Sequence, residues 1–196
     1  MKYSDLKDYE LVNQFIDGKQ SSIEELINRH KSRVYTYILL IVKNQELAED
    51  IFQDTFIKVI KSLKKGKYQE KGIFVSWVVR IAHNLIIDHY RKEKHLKTYS
   101  NDDNEIDIFN SPKFSEQNVE DIMIQDQITQ DVKKLIDELP SDQKQVILLR
   151  HYGGLSFKEI ADQTGVSINT ALGRMRYALI NLRKLISKKS ISLTAI

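Results

Sequence analysis

The chain has 196 residues, 41% of them hydrophobic and 29% charged, with only 7 glycines, 2 prolines, no cysteine and a formal net charge of +3. That length holds one large or two small domains, and the scarcity of glycine and proline favours helices over a turn-rich β fold. The lack of cysteine excludes disulfides, thiolate metal sites and thiol redox switches, and so small a net charge does not by itself announce a nucleic-acid binder. The opening residues MKYSDLKDYE have no signal-peptide core, and no run approaches the ~20 apolar residues of a membrane span, so a cytoplasmic protein is expected.

In chain order, a short helix is expected from about Asp8 to Asp17, with Leu11, Val12, Phe15 and Ile16 on one side and Gly18 as its stop. Ser21 with Glu24 has the spacing of a capping box. It should open a long helix through Ile23, Leu26, Ile27, Val34, Tyr37, Ile38 and Ile41 that Asn44 ends. A third helix, from near Gln45 to just before Gly66, buries Leu47, Ile51, Phe52, Thr55, Ile57, Val59 and Ile60. Its other side carries Glu46, Glu49, Asp50, Gln53, Asp54 and, out of pattern, Phe56. No histidine or second ligand group lies at metal-site spacing, so these carboxylates form either a solvated face or a protein-docking face. Phe56 among polar residues favours docking, because an exposed aromatic is the usual interface anchor.

The stretch Ser62–Gly72, SLKKGKYQEKG, reads as a basic loop holding Tyr68. It is either a solvated connection or a track for a phosphate backbone with a ring for stacking. The helix after it, Ile73 to about Lys94, has Val78, Val79, Ile81, Ala82, Leu85, Ile86, Ile87 and Tyr90 over more than half its circumference and should be largely buried. The narrow remaining stripe holds Trp77, Arg80, Asn84, Asp88 and Arg91. A tryptophan beside Arg and Asn suits stacking against an unpaired base; alternatively Trp77 packs on a neighbour and Asp88 pairs with Arg91 or Arg80. His83, His89 and His95 point in different directions, which argues against a metal site.

Residues 96–118 lose all helical period and are rich in Asp and Glu, as in a flexible acidic linker. The chain therefore divides into 1–95, the linker 96–118, and 119–196. The last part opens with a helix Val119–Glu138, breaks at Leu139-Pro140-Ser141, and resumes in a helix that Ser141 caps. A helix-turn-helix follows in LSFKEIADQTGVSINTALGRMRYALINL, Leu155–Leu182. Ser156 and Glu159 form a capping box, Gly165 serves a turn with positive φ, Val166 staples forward, and Ser167 caps a second helix running to about Leu185. On that helix Ile168, Ala171, Leu172, Met175, Ala178, Leu179 and Leu182 share the core arc. Asn169, Thr170, Gly173, Arg174, Arg176, Tyr177 and Asn181 occupy the rest, as a recognition helix requires.

These motifs together resemble the extracytoplasmic-function group of bacterial sigma factors. AEDIFQDTF, the basic loop and WVVRIAHNLIIDHYRKEK are similar to sigma domain 2, and LPSDQKQVILLRHYGGLSFKEIADQTGVSINTALGRMRYALINLRK to sigma domain 4. The resemblance implies an all-α fold of two helical domains joined by the acidic linker, no enzymatic activity and no cofactor. It implies that Glu49, Asp50, Gln53, Asp54 and Phe56 bind core RNA polymerase at the β′ clamp coiled coil. Lys64, Lys65, Lys67 and Tyr68, with Trp77, Arg80, Asn84, Asp88 and Arg91, would open and hold the −10 element. Ser156, Lys158, Ser167, Asn169, Thr170, Gly173, Arg174, Arg176 and Tyr177 would face duplex DNA at the −35 element, with the β flap as a second polymerase contact. An anti-sigma factor is the implied regulator, and no homo-oligomer is expected. Leu172-Gly173 and Tyr177 depart from the family, which often has Lys-Ser and Arg there, so base contacts at these positions are not carried over. The part LSFKEIADQTGVS is also similar to LuxR-type regulators, and a dimeric regulator with the same helix-turn-helix is the alternative.

Overall fold

The computed structural model describes residues 6–68, 73–97 and 132–189. The described residues are helical, with no strand among them: α1 Asp8–Ile16, α2 Ser21–Val42, α3 Gln45–Lys64, α4 Phe74–Lys97, the helical residues 132–137 (α5), α6 Ser141–His151, α7 Phe157–Thr164 and α8 Ile168–Lys189. The acidic linker beyond residue 97 and most of the expected helix Val119–Glu138 lie outside the described residues. The helices form two compact units, one built from α1–α4 and the other from α5–α8.

In the first unit, α2 packs on α1, α3 and α4, and α3 packs on α4. Apolar residues three and four apart on each helix meet in one core: Leu11 and Phe15, Leu26, Val34, Ile38 and Ile41, Ala48, Val59 and Leu63, and Val78, Val79, Ala82 and Ile86 are all buried. Ile16 and Ile57, expected inside, are 53% and 46% exposed. Ile16 lies just outside the arc of Leu11, Val12 and Phe15, whereas Ile57 lies on the face of α3 opposite its buried residues, because at 100° per residue it falls with Asp50 and Gln53. The Ser21–Glu24 box does not start α2; its N-cap is Gln20, which makes no side-chain cap bond. Asn44 does not simply end α2. Lys43 closes that helix in the left-handed region (φ 52°), and the Asn44 side chain accepts from the Leu47 N–H at 2.9 Å as the N-cap of α3. One short polar side chain thus sets the sharp corner between two long helices.

In the second unit, α6 and α7 each pack on α8 and on one another. Leu135, Ile136, Leu139, Val146, Ile147, Leu148, Leu149, Ile160, Ala161, Ala171 and Ala178 are buried. Ser141 is the first residue of α6 rather than its cap, and the Pro140 carbonyl accepts from the Gln143 and Lys144 N–H groups. Lys144 is fully buried and pairs with Asp137, which meets the demand that a charge removed from water be compensated.

Candidate nucleic-acid interface

The first surface lies where the basic loop meets α4. Lys64, Lys65 and Lys67 are exposed, while Tyr68 turns back onto the helix. The Tyr68 ring sits 4.7 Å from Trp77 and 5.9 Å from Phe74, and Phe74 lies 5.8 Å from Trp77. Phe74 is buried and anchors the cluster, and Trp77 and Tyr68 are half-buried against it. Tyr68 is therefore not a loose ring on a loop, as the sequence suggested; it is a wall for Trp77. Tilted contacts at these distances suit the quadrupoles of the rings and restrict both side chains before any ligand arrives. From Trp77 the stripe runs through Arg80 to Asn84, Asp88 and Arg91, the last three exposed. Asp88 and Arg91 approach to 3.5 Å as a solvent-exposed pair of little energetic weight.

Behind this stripe α4 is locked to α2 by a buried hydrogen bond of 2.8 Å between Tyr37 Oη and His83 Nδ1. Burial lowers the His83 pKa to about 4 and raises that of Tyr37 well above its usual value, so both are neutral at pH 7. His83 is thus structural, and among the described residues no group of His, Asp and Glu could hold a metal ion.

The acidic face of α3 is present: Glu49, Asp50, Gln53 and Asp54 are all exposed, with Gln45 donating to Glu49 at 3.1 Å. Phe56 is not part of it. The residue is 5% exposed, with its ring 4.9 Å from Phe52 in an edge arrangement. Phe56 lies one turn beyond Phe52 and is the more deeply buried of the two. The aromatics that do border the acidic face are half-buried Phe52 and Tyr35, 5.8 Å apart. Burial, then the nearby Glu49 charge, raises the Tyr35 pKa. Tyr35 was missed because it comes from α2, and no periodicity within α3 can reveal it.

The second surface is the helix-turn-helix of α7 and α8. Ser156 and Glu159 form the expected capping box, Gly165 adopts φ 68°, and the Ser167 hydroxyl accepts from the Thr170 N–H at 3.0 Å. Both serine hydroxyls are used in capping, and Ser167 Oγ lies 2.9 Å from Thr170 Oγ1. Lys158, Asn169, Thr170, Arg176 and Tyr177 are exposed. Arg174 is paired within the unit: its Nε lies 3.2 Å from an Asp142 carboxylate oxygen of α6, and the side chain is 26% exposed. The core arc is also narrower than expected. Ala171 and Ala178 are buried, whereas Ile168, Leu172 and Leu179 are 42–45% exposed. Two alanines let α8 approach its neighbours closely, and only a narrow strip then fits beneath them.

Two family models match: sigma-70 region 2 over residues 26–96 and sigma-70 region 4 over residues 129–177. The chain is 29% identical to the RNA polymerase sigma factor CarQ of Myxococcus xanthus over 90% of this chain and 96% of that protein. It is 31% identical to the RNA polymerase sigma factor SigV of Bacillus subtilis over 85% and 92%. Among solved structures, the sigma factor RpoE of Bartonella quintana, in complex with the anti-sigma factor NepR, has a similar fold, with a TM-score of 0.61 at 18% identity over 84% of this chain and 96% of that one.

Proposed function

Because the chain belongs to the sigma-70 family of RNA polymerase sigma factors, we propose that it acts as a sigma factor of the extracytoplasmic-function group and that its two surfaces divide the work of a promoter-specificity subunit between residues 1–95 and 119–196. The first part binds core RNA polymerase through Glu49, Asp50, Gln53 and Asp54, with Tyr35 and Phe52 as the aromatic border and Phe56 as support beneath. Its second task is capture of unpaired −10 bases by the Trp77 stripe, with Lys64, Lys65 and Lys67 along the phosphates. The second part lays α8 into duplex DNA at −35, with Asn169, Thr170, Arg176 and Tyr177 foremost, Lys158 near the backbone, and Arg174 as a brace. Free energy for opening then comes from binding the separated strand, and no nucleotide-hydrolysis site is needed.

The observation that carries this reading is the half-buried aromatic pair of Trp77 and Tyr68 at the head of a polar stripe containing Arg80 and Asn84. A ring restrained by its neighbours and still partly exposed is what an extruded base stacks on. A regulatory partner of the anti-sigma kind belongs to the same proposal, supported by the complex in which the Bartonella RpoE was solved. The test is promoter opening followed by fluorescence, with the full chain assembled on core RNA polymerase. Trp77→Ala with Asn84→Ala should weaken the open complex by about 1–3 kcal/mol, roughly 5- to 160-fold, the worth of one stacked base. Wild-type opening by the double variant would remove the role given to α4.

A further inference from the structure

The exposed side of α8 carries an apolar residue where a purely polar reader would be expected. Leu172 is 43% exposed and stands between Asn169 and Arg176, both exposed. They lie three residues before it and four after, so the three share one face of the helix. Leu172 is thus flanked by a side chain suited to adenine and one suited to guanine. Next to it is Gly173, inside a helix, where glycine disfavours the fold. Among the described residues nothing requires that glycine, because a Cβ there would meet no atom within 4 Å. Its helical φ, unlike that of Gly165, gives no conformational reason for it either.

At 100° per residue Leu172 forms an apolar knob on one flank of Asn169 and Arg176, and Gly173, between Asn169 and Tyr177, leaves a notch on the other. We infer that Leu172 is a specificity-determining residue that packs on the 5-methyl group of a thymine in the −35 duplex, with Gly173 letting α8 lie close enough for that contact. The thymine methyl is the one apolar group on a major-groove base edge, and apolar side chains discriminate by touching it. The flanking Asn169 and Arg176 fix the occupant as DNA: an apolar protein surface would leave both polar groups without partners. The inference rests on the −35 reading of α8 and adds the base class read at its centre.

The experiment uses the full chain assembled on core RNA polymerase and a randomised duplex pool prepared once with thymine and once with deoxyuridine. The wild type should enrich a sequence with a thymine at one position, and deoxyuridine there should weaken binding about three- to fivefold, the worth of one buried methyl. Leu172→Ala should bind thymine and deoxyuridine duplexes alike. Gly173→Ala should raise the melting temperature of the free protein yet weaken binding to the enriched duplex. If a duplex is enriched but deoxyuridine changes nothing, or Leu172→Ala keeps the full difference, the inference fails while the −35 reading stands. If no duplex is enriched at all, the −35 reading fails and the inference with it.

Discussion

His83 illustrates how a residue's role follows from what covers it. In the sequence it is one of three histidines spaced along a helix; in the fold it is buried and bonded to Tyr37, with a pKa of about 4 against 6.5 when exposed. The unfolded chain therefore takes up a proton between pH 6.5 and 4 that the folded chain refuses. The stability from neutral His83 is complete above pH 6.5 and is lost as pH falls toward 4, by roughly 3 kcal/mol in all. Asp8 adds to the same trend at lower pH. Burial alone would raise its pKa, but the bonds and charges of His30 and Arg29 outweigh that and hold it below 3.8, so its contribution is lost as pH falls through that range. Urea unfolding followed from pH 7.5 to 4.5 should show a falling midpoint, and His83→Gln should flatten the decline above pH 4. An unchanged slope in that variant would assign the acid sensitivity elsewhere.

At the scale of elements, caps and corners carry testable weight. Asn44 both follows the left-handed Lys43 and caps α3, so Asn44→Ala should cost about 1 kcal/mol, seen as a lower urea midpoint, because one N–H at the head of α3 loses its partner. The brace between Arg174 and Asp142 joins α8 to α6 at partly exposed positions. Such a pair contributes about 0–1 kcal/mol to stability. Asp142→Asn should therefore change the melting temperature little, yet reduce duplex affinity by loosening the side chain beside the reading face. If Asp142→Asn leaves affinity intact while Arg174→Ala abolishes it, Arg174 reads DNA directly instead of bracing the helix.

For the whole molecule, a net charge of +3 makes indiscriminate adhesion to DNA weak, so binding depends on basic groups gathered at particular surfaces. A promoter complex of the assembled chain should weaken steeply with salt, and Arg176→Ala should reduce the slope of log affinity against log salt by about 1 if that residue meets a phosphate, or leave the slope unchanged and relax base preference if it reads a base. The sequence alone determined the all-helical class, the capping box at Ser156, the positive φ at Gly165 and the cap at Ser167, and of the apolar set of α4 it placed Val78, Val79, Ala82 and Ile86 in the core, while Ile81, Leu85, Ile87 and Tyr90 are only half-buried. Each of these depends on residues within about two turns of one another, and local hydrogen bonding and 3.6-residue periodicity suffice to specify them. Only the tertiary structure decided that Phe56 turns inward, that Tyr35 takes its place beside the acidic face, that Tyr68 backs Trp77, and that Arg174 is held by Asp142. It likewise decided how much of the apolar arc of α8 is covered, leaving Leu172 in the open. These outcomes depend on which helix lies opposite and how closely it approaches. A helical wheel marks the direction of each side chain, but burial is set by a neighbour that comes from elsewhere in the chain.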